Sequence, residues 1–337
     1  MLYSDLFKGE KHMALLPRTY MDTLVTISNG NNFCIGTGFL VGKFIKEEEG
    51  KRHYALFLIT NKHVLQNQNV VYLGFNQFGV YATNEFKVVL KNNNILNYSP
   101  HVDPKVDVVA LILNAEVLNV SKSQYSFFAL DDNTYSIEQL KENGVYEGDL
   151  INVLGFPLNL VDLNHKNPIC RLGCISKISN LYVPGNCDKN FIVDAQAFPG
   201  NSGGPVILRP ELTAVVGTKP HARAVLIGIL HSYIPYQDNL ISQQTNTIVS
   251  TSIENSGLTN VHPVDYIKDV IELEMTRADL TTITYYEQKV ENTNVEPIKN
   301  IEKIVQEENK KELEKIEETK PEDKKTAKKK ITKKEED

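Results

Sequence analysis

Pro199-Gly-Asn-Ser202-Gly-Gly-Pro205 sets one serine among three glycines. Glycine has no Cβ, so such a stretch can turn successive N–H groups toward one point. A hydroxyl nucleophile beside converging donors is what acyl transfer requires; the plainer reading is a tight turn in a β-protein. The residues after the serine, Pro205-Val-Ile-Leu208, read as a strand. That rejects the G-x-S-x-G nucleophile elbow, which needs a helix after the serine and its acid and histidine later in the chain.

Outward from this stretch the chain reads as short strands. Leu24-Val-Thr-Ile, Gly38-Phe-Leu-Val, Tyr54 to Thr60, Val70-Val-Tyr-Leu, Phe86 to Leu90 and Val106 to Leu113 are apolar runs separated by Asn, Gly, Lys and Glu. A second set begins at Leu150-Ile-Asn-Val-Leu and continues through Cys170 to Ile178, Phe191-Ile-Val-Asp, Pro205 to Leu208, Ala224 to Leu230 and a strand ending near His262. Pro263 then opens a segment with apolar residues at 264, 267, 270, 271 and 273, the pattern of a helix burying one face. No long 3.6-period segment interrupts the first half, which argues against a parallel α/β sheet. The expectation is an all-β body of two six-stranded antiparallel barrels. Its limits are an N-terminal extension (1–19), a first barrel (20–120), a linker (121–145) with a short helix near Ile137, a second barrel (146–262), a C-terminal helix (263–276) and a charged tail (277–337).

Two further residues stand where catalysis would need them. His63, in Leu58-Ile-Thr-Asn-Lys-His-Val, lies at the end of a buried strand, and Asp107 lies at the mouth of another. Loop edges fixed by a scaffold are where reactive side chains sit. Each alone reads as an ordinary surface histidine or turn aspartate; the ordered set His, Asp, Ser across two β-halves does not.

The ordered motifs resemble the trypsin-like (chymotrypsin-fold) serine peptidases, nearest the protease domain of the HtrA/Deg type. The matching stretches are Gly36-Thr-Gly-Phe-Leu-Val, Leu58 to Val64, Asp107-Val-Val-Ala-Leu, Gly148 to Pro157, Asp194 to Pro205, Ile227-Gly-Ile-Leu and Ser256-Gly-Leu, from about residue 20 to 275. The resemblance implies that Ser202 attacks a peptide carbonyl, His63 moves the proton, and Asp107 orients the imidazole. It implies an oxyanion hole of backbone N–H groups at Gly200, Asn201 and Ser202. Asp103 competes for the acid's role; Asp107 is preferred because it abuts the apolar strand, as the family's aspartate does.

The sequence also departs from that family. Asn201 stands where zymogen-type relatives carry an aspartate that pairs with a newly cut N-terminus, so such a cut is not expected to be the switch. No cysteine flanks His63, so the disulfide of secreted relatives is missing there. The stretch after the helix is charged and repetitive, so the PDZ domain usual in the HtrA type is not expected there. By resemblance the substrate pocket involves Gln196, His231, Ser232 and Tyr233. Gln196, an amide at the pocket base, argues against Lys/Arg selectivity, and the backbone of 231–233 is expected to pair with substrate as an added strand. A histidine on this strand suggests Glu specificity, but it lies one residue late, which flips its side chain; an alternative is that His231 lies close to Asp107. Cys170, Cys174, Cys187 and His165 could be imagined as a zinc site, yet residues 170 and 174 share one strand face and core packing accounts for them equally, so no metal and no cofactor are expected.

Charge is uneven along the 337 residues, whose formal net charge is −6. Residues 301–337 hold 12 Lys and 12 acidic groups, so the body carries the whole −6. A basic nucleic-acid surface is therefore not expected, and the lysine-rich end reads as a solvated tail, with a protein partner as its candidate ligand. No apolar run approaches the ~18 residues of a membrane span. The first ten residues carry charges where a signal peptide is apolar, and four cysteines are too few for a disulfide scaffold, so the expected location is the cytoplasm. The leading expectation is a serine endopeptidase acting on protein or peptide; its rival is a catalytically silent module of the same fold that binds extended peptides or a protein partner.

Overall fold

The computed structural model describes residues 16–278 apart from 31, 32, 94, 163 and 212–216, together with the backbone of Glu287–Lys289. Most of the expected N-terminal extension and nearly all of the charged tail lie outside the described residues. The first lobe is built on β1 (Leu24–Ser28), β2 (Cys34–Glu48), β3 (Lys51–Thr60), β4 (Val70–Gln77), β5 (Thr83–Val89) and β6 (Val109–Leu113). They pair antiparallel in the order β5-β4-β1-β2-β3-β6, and β5 shows why: Asn84, Phe86 and Val88 point inward while their neighbours face out. Ser99–Pro100 ends the path beyond β6, and Glu287–Lys289 pairs with β5 at the other end. Among the described residues this sheet has ten strands and forms a half-barrel, where a closed six-stranded barrel was expected. The two-residue Ser99–Pro100 edge contains a proline, which has no N–H to give a further strand.

The second lobe closes. Strands β7 (Leu150–Gly155), β8 (Ile169–Lys177), β9 (Phe191–Asp194), β10 (Pro205–Leu208), β11 (Val225–Ile241) and β12 (Ile248–Pro263) form a barrel in the order β7-β8-β9-β12-β11-β10. Strand β11 does not stop at Leu230 as the apolar run suggests. It pairs with β12 as far as Ile241↔Ile248, so a two-stranded ribbon leaves the barrel.

Four helices complete the described body: α1 (Lys62–Leu65), α2 (Ala115–Val120), α3 (Ile137–Glu142) and α4 (Val264–Arg277). Ser136 and Gln139 form a capping box on α3. Between the lobes, Ser123–Gln124 pairs with β4 and Phe128–Ala129 with β2, so this connection is itself built into the first sheet. Helix α4 buries Val264, Ile267, Val270 and Ile271 in one core cluster with Phe39 and Phe57 of the first lobe and Ile207, Leu226 and Ile229 of the second. That shared core joins the lobes, and the predicted reactive residues sit along the same seam.

Candidate active site

His63 is presented by one helical turn. Strand β3 ends at Thr60, buried Asn61 caps α1, and the Asn61 side-chain amide donates to the Asp107 carbonyl at 2.7 Å. The carboxylate of Asp107 is nearly enclosed, with 12% of its side chain exposed, whereas His63 is about half exposed. Asp107 Oδ1 accepts the His63 backbone N–H at 3.0 Å, and Oδ2 bonds the His63 ring at Nδ1. The same Oδ2 lies 3.0 Å from Nδ1 of His231. Burial alone would raise the Asp107 pKa, but the hydrogen bonds from His231 and His63 and the nearby His63 ring outweigh it and hold it well below the usual carboxylate range.

A third histidine fixes Asp107 from behind. The Asp107 N–H donates to Nε2 of fully buried His262 at 3.0 Å. That nitrogen must present a lone pair, so the His262 proton sits on Nδ1, which faces the Lys189 carbonyl at 3.3 Å. Burial first, then the neighbouring His231, push the His262 pKa down to about 4. The rings of His231 and His262 stack at 4.7 Å.

Thr37 ties the serine loop to the first lobe. Its N–H donates to the Ser202 carbonyl at 2.9 Å, its hydroxyl donates to the Gly200 carbonyl at 2.6 Å, and its carbonyl accepts from Thr60 Oγ1 at 2.8 Å. Two glycines are required by close approach. Gly203 has φ 85°, and a Cβ there would lie 2.1 Å from the Thr37 carbonyl oxygen; Gly200 has φ 97°, and a Cβ would lie 2.3 Å from that of Phe156. On the other side, Gly203 N–H donates to the Leu230 carbonyl at 3.2 Å, one residue before His231. The loop is thus held against the elements carrying His63 and His231. Ser202 is partly exposed, and among the described residues its hydroxyl makes no hydrogen bond to His63.

The N–H groups of Gly200 and Ser202 have no acceptor among the described residues, as donors for an oxyanion would require. Asn201 differs from expectation: its N–H donates to the Phe198 carbonyl at 2.9 Å, closing a turn, and is not available to a ligand. The residue is 1% exposed, with Oδ1 unpartnered. Asp103 faces away, toward Lys189 at 3.1 Å.

A model of the "Trypsin-like peptidase domain" family matches residues 36–217, more than half of the chain. The chain belongs to this family. Membership supports a protease-type function with peptide or protein substrates. The MamO protease domain of Magnetospirillum magneticum in its apo form is similar over 75% of this chain and 98% of its own, at 14% identity and a TM-score of 0.43. The Rv3671c protease in an inactive form is similar over 75% and 89%, at 16% identity and a TM-score of 0.35. No curated protein matches.

In this trypsin-like peptidase the expected pocket residues divide. Gln196 is exposed, and its carbonyl accepts from Arg171, whose guanidinium lies 4.9 Å over the Phe198 ring. Ser232 and Tyr233 lie on β11 opposite Asn260 and Thr259, while the His231 ring turns to Asp107. Core packing does not describe the cysteines of β8: Cys170 is exposed and Cys174 half-buried, because residues 170 and 172 lie on the outer face of the barrel. Among the described residues the one group of metal-type donors that converges is His63, Asp107 and His231, and those atoms already bond one another. No described helix is long and apolar enough to cross a membrane. Sequence reasoning missed His262, which carries no local signal, and Asn61 and Thr37, which lay unexamined inside the quoted Leu58–Val64 and Gly36-Thr-Gly stretches.

Proposed function

We propose that this trypsin-like peptidase is a serine endopeptidase. Ser202 Oγ attacks the scissile carbonyl; His63 takes the proton at Nε2 and returns it to the leaving amine; Asp107 holds Nδ1–H and stabilises the imidazolium. The Gly200 and Ser202 N–H groups receive the oxyanion, each worth roughly 3–4 kcal/mol of barrier in sites of this kind. The observation that carries the reading is the buried Asp107 carboxylate, which accepts both the backbone N–H and Nδ1 of His63 beside the pinned serine loop. The lack of a serine–histidine hydrogen bond among the described residues is compatible with it, because such bonds often tighten only around substrate. The reading includes a reducing, cytoplasmic setting, in keeping with four unpaired thiols.

The missing serine–histidine bond also favours the rival, a silent peptide-binding module. A fluorophosphonate probe separates the two: labelling of the wild type and not of Ser202→Ala is the expected result. A folded wild type that stays unlabelled yet binds peptide supports the rival.

A further inference from the structure

Strand β11 changes character at the site. Through Leu230 it is paired on both sides, with β10 across Pro205↔Ile229 and with β12 across Leu230↔Val261. From Ser232 to Ile241 it pairs with β12 alone, so its other edge carries no ladder among the described residues. That edge begins one residue after His231, which bonds the candidate triad, and runs outward for ten residues, roughly 30 Å at the ~3.4 Å rise of an antiparallel strand.

An isolated two-stranded ribbon is marginal in water, and an open edge is a template for another strand. This one is unusually apolar. Tyr236, Leu240 and Ile241 on β11, and Ile248, Val249 and Ile253 on its partner, are 55–70% exposed. Residues 232–261 contain Asp238 and Glu254 and no Lys or Arg.

Resting on the endopeptidase reading and on the substrate pairing that the resemblance implies at 231–233, we infer that this pairing edge continues along the ribbon to Ile241 as an extended substrate track, holding up to about ten residues that precede the scissile bond. Direction follows from pairing. Every other strand of this barrel pairs antiparallel, and a chain lying antiparallel to β11 travels from Ile241 toward Ser202, so the residues on the ribbon come before the cleaved bond. Composition follows from the alternation of faces. Between Pro235 and Leu240 the pairing with β12 is regular, so Tyr236, Asp238 and Leu240 share one face. A strand added there abuts them with its own alternate residues, and the complementary sequence is apolar, basic, apolar at every second position. Main-chain pairing supplies affinity, and this pattern supplies selectivity.

The test uses full-length Ser202→Ala protein and fluorescein-labelled peptides with Val, Lys and Val at alternate positions and Thr between. The peptides are built from about four to about ten residues, and binding is read by anisotropy. Affinity is expected to rise at least tenfold over that range. Opposite Pro235–Leu240, where the pairing is regular, N-methylating single peptide nitrogens should weaken binding at every second position only, because alternate N–H groups face the ribbon. Asp238→Asn should remove the preference for Lys over Gln at the matching position. Affinity independent of length, or N-methyl losses without a two-residue period, overturns the inference. So does a dimer in sedimentation equilibrium that Leu240→Lys dissociates with peptide affinity unaltered. Labelling of Ser202 without length dependence leaves the endopeptidase standing and removes the track; length-dependent binding without labelling does the reverse.

Discussion

Nδ1 of His231 lies 3.0 Å from Oδ2 of Asp107, the oxygen that also bonds Nδ1 of His63. One carboxylate oxygen therefore serves two imidazoles. The second bond holds the carboxylate in place but draws charge from the first. Replacing His231 with Phe keeps a flat ring and removes the donor. Peptidase turnover is then expected to fall roughly tenfold, the scale of one hydrogen bond to a charged group. Asp107 becomes more available to His63, so the acidic limb of the pH–rate profile should move upward. A pH profile of kcat/KM reads both effects, and a purely structural loss would lower the rate without moving the limb.

Asp107 is the acceptor for Nδ1 of His63. An amide of the same shape can present N–H there, which favours the tautomer with its proton on the wrong nitrogen. Asp107→Asn is expected to lower kcat by roughly 10³–10⁴-fold, as in comparable triads. Thermal unfolding followed alongside should show the variant still folded, since the Asn61 amide and His262 bond the backbone of residue 107 rather than its carboxylate.

Two glycine substitutions separate backbone strain from steric conflict. Gly50 has φ 70° at the hairpin tip with nothing within 4 Å of an added Cβ. Gly203 has φ 85°, with the Thr37 carbonyl at 2.1 Å and Thr60 Oγ1 at 2.4 Å. Gly50→Ala should cost about 1–2 kcal/mol, the left-handed penalty alone. Gly203→Ala adds displacement of the strand that holds Ser202, so chemical denaturation should show a larger loss, and fluorophosphonate labelling should slow only in this variant.

How much of this was legible follows from where each signal lies. The positions of His63 and Asp107 could be read because each terminates an apolar run, and Ser202 because glycines crowd around it. His262 could not, since its bond to Asp107 spans 155 residues and nothing local marks it. The outer ribbon could not because Gln237, Asp238 and Asn239 read as loop; backbone pairing with β12 makes them a strand with no buried face. The open first sheet is a property of its edges, and periodicity reports strands without reporting closure.

His262 gives the protein an acid-sensitive component. Its pKa falls from an ordinary 6.5 to about 4 on folding, so the folded protein binds fewer protons than the unfolded chain in that window. The associated stability is complete above about pH 6.5 and is lost as the pH falls toward 4, about 3 kcal/mol in all at 1.36 kcal/mol per unit. Protonation would also set Nε2–H against the Asp107 N–H. His262→Gln keeps an acceptor for that N–H and does not titrate. Urea denaturation as a function of pH should show a shallower slope for this variant between pH 4 and 6.5. Below that range both proteins should weaken together, because Asp107, held low in the folded state, loses its contribution only on further acidification.

The helix that joins the lobes is fastened by a buried charge. Glu274 is fully buried and accepts from the Ile112 N–H at 3.0 Å, from Ser99 Oγ at 2.7 Å and from the Arg277 guanidinium at 2.7 Å. Glu274→Ala leaves those three donors facing a void and removes the counter-charge of Arg277. The expected loss is about 3–5 kcal/mol in urea unfolding. Removing both charges as Glu274→Leu with Arg277→Leu restores apolar packing beside Val270 and Ile271 and should recover most of it, because desolvating the pair is itself costly. The bonds to Ile112 and Ser99 are then missing, as is the one Arg277 gives the Asn97 carbonyl at 3.1 Å. Equal stability of the single and double variants would show that the carboxylate acts through those two bonds and that its pairing with Arg277 contributes nothing.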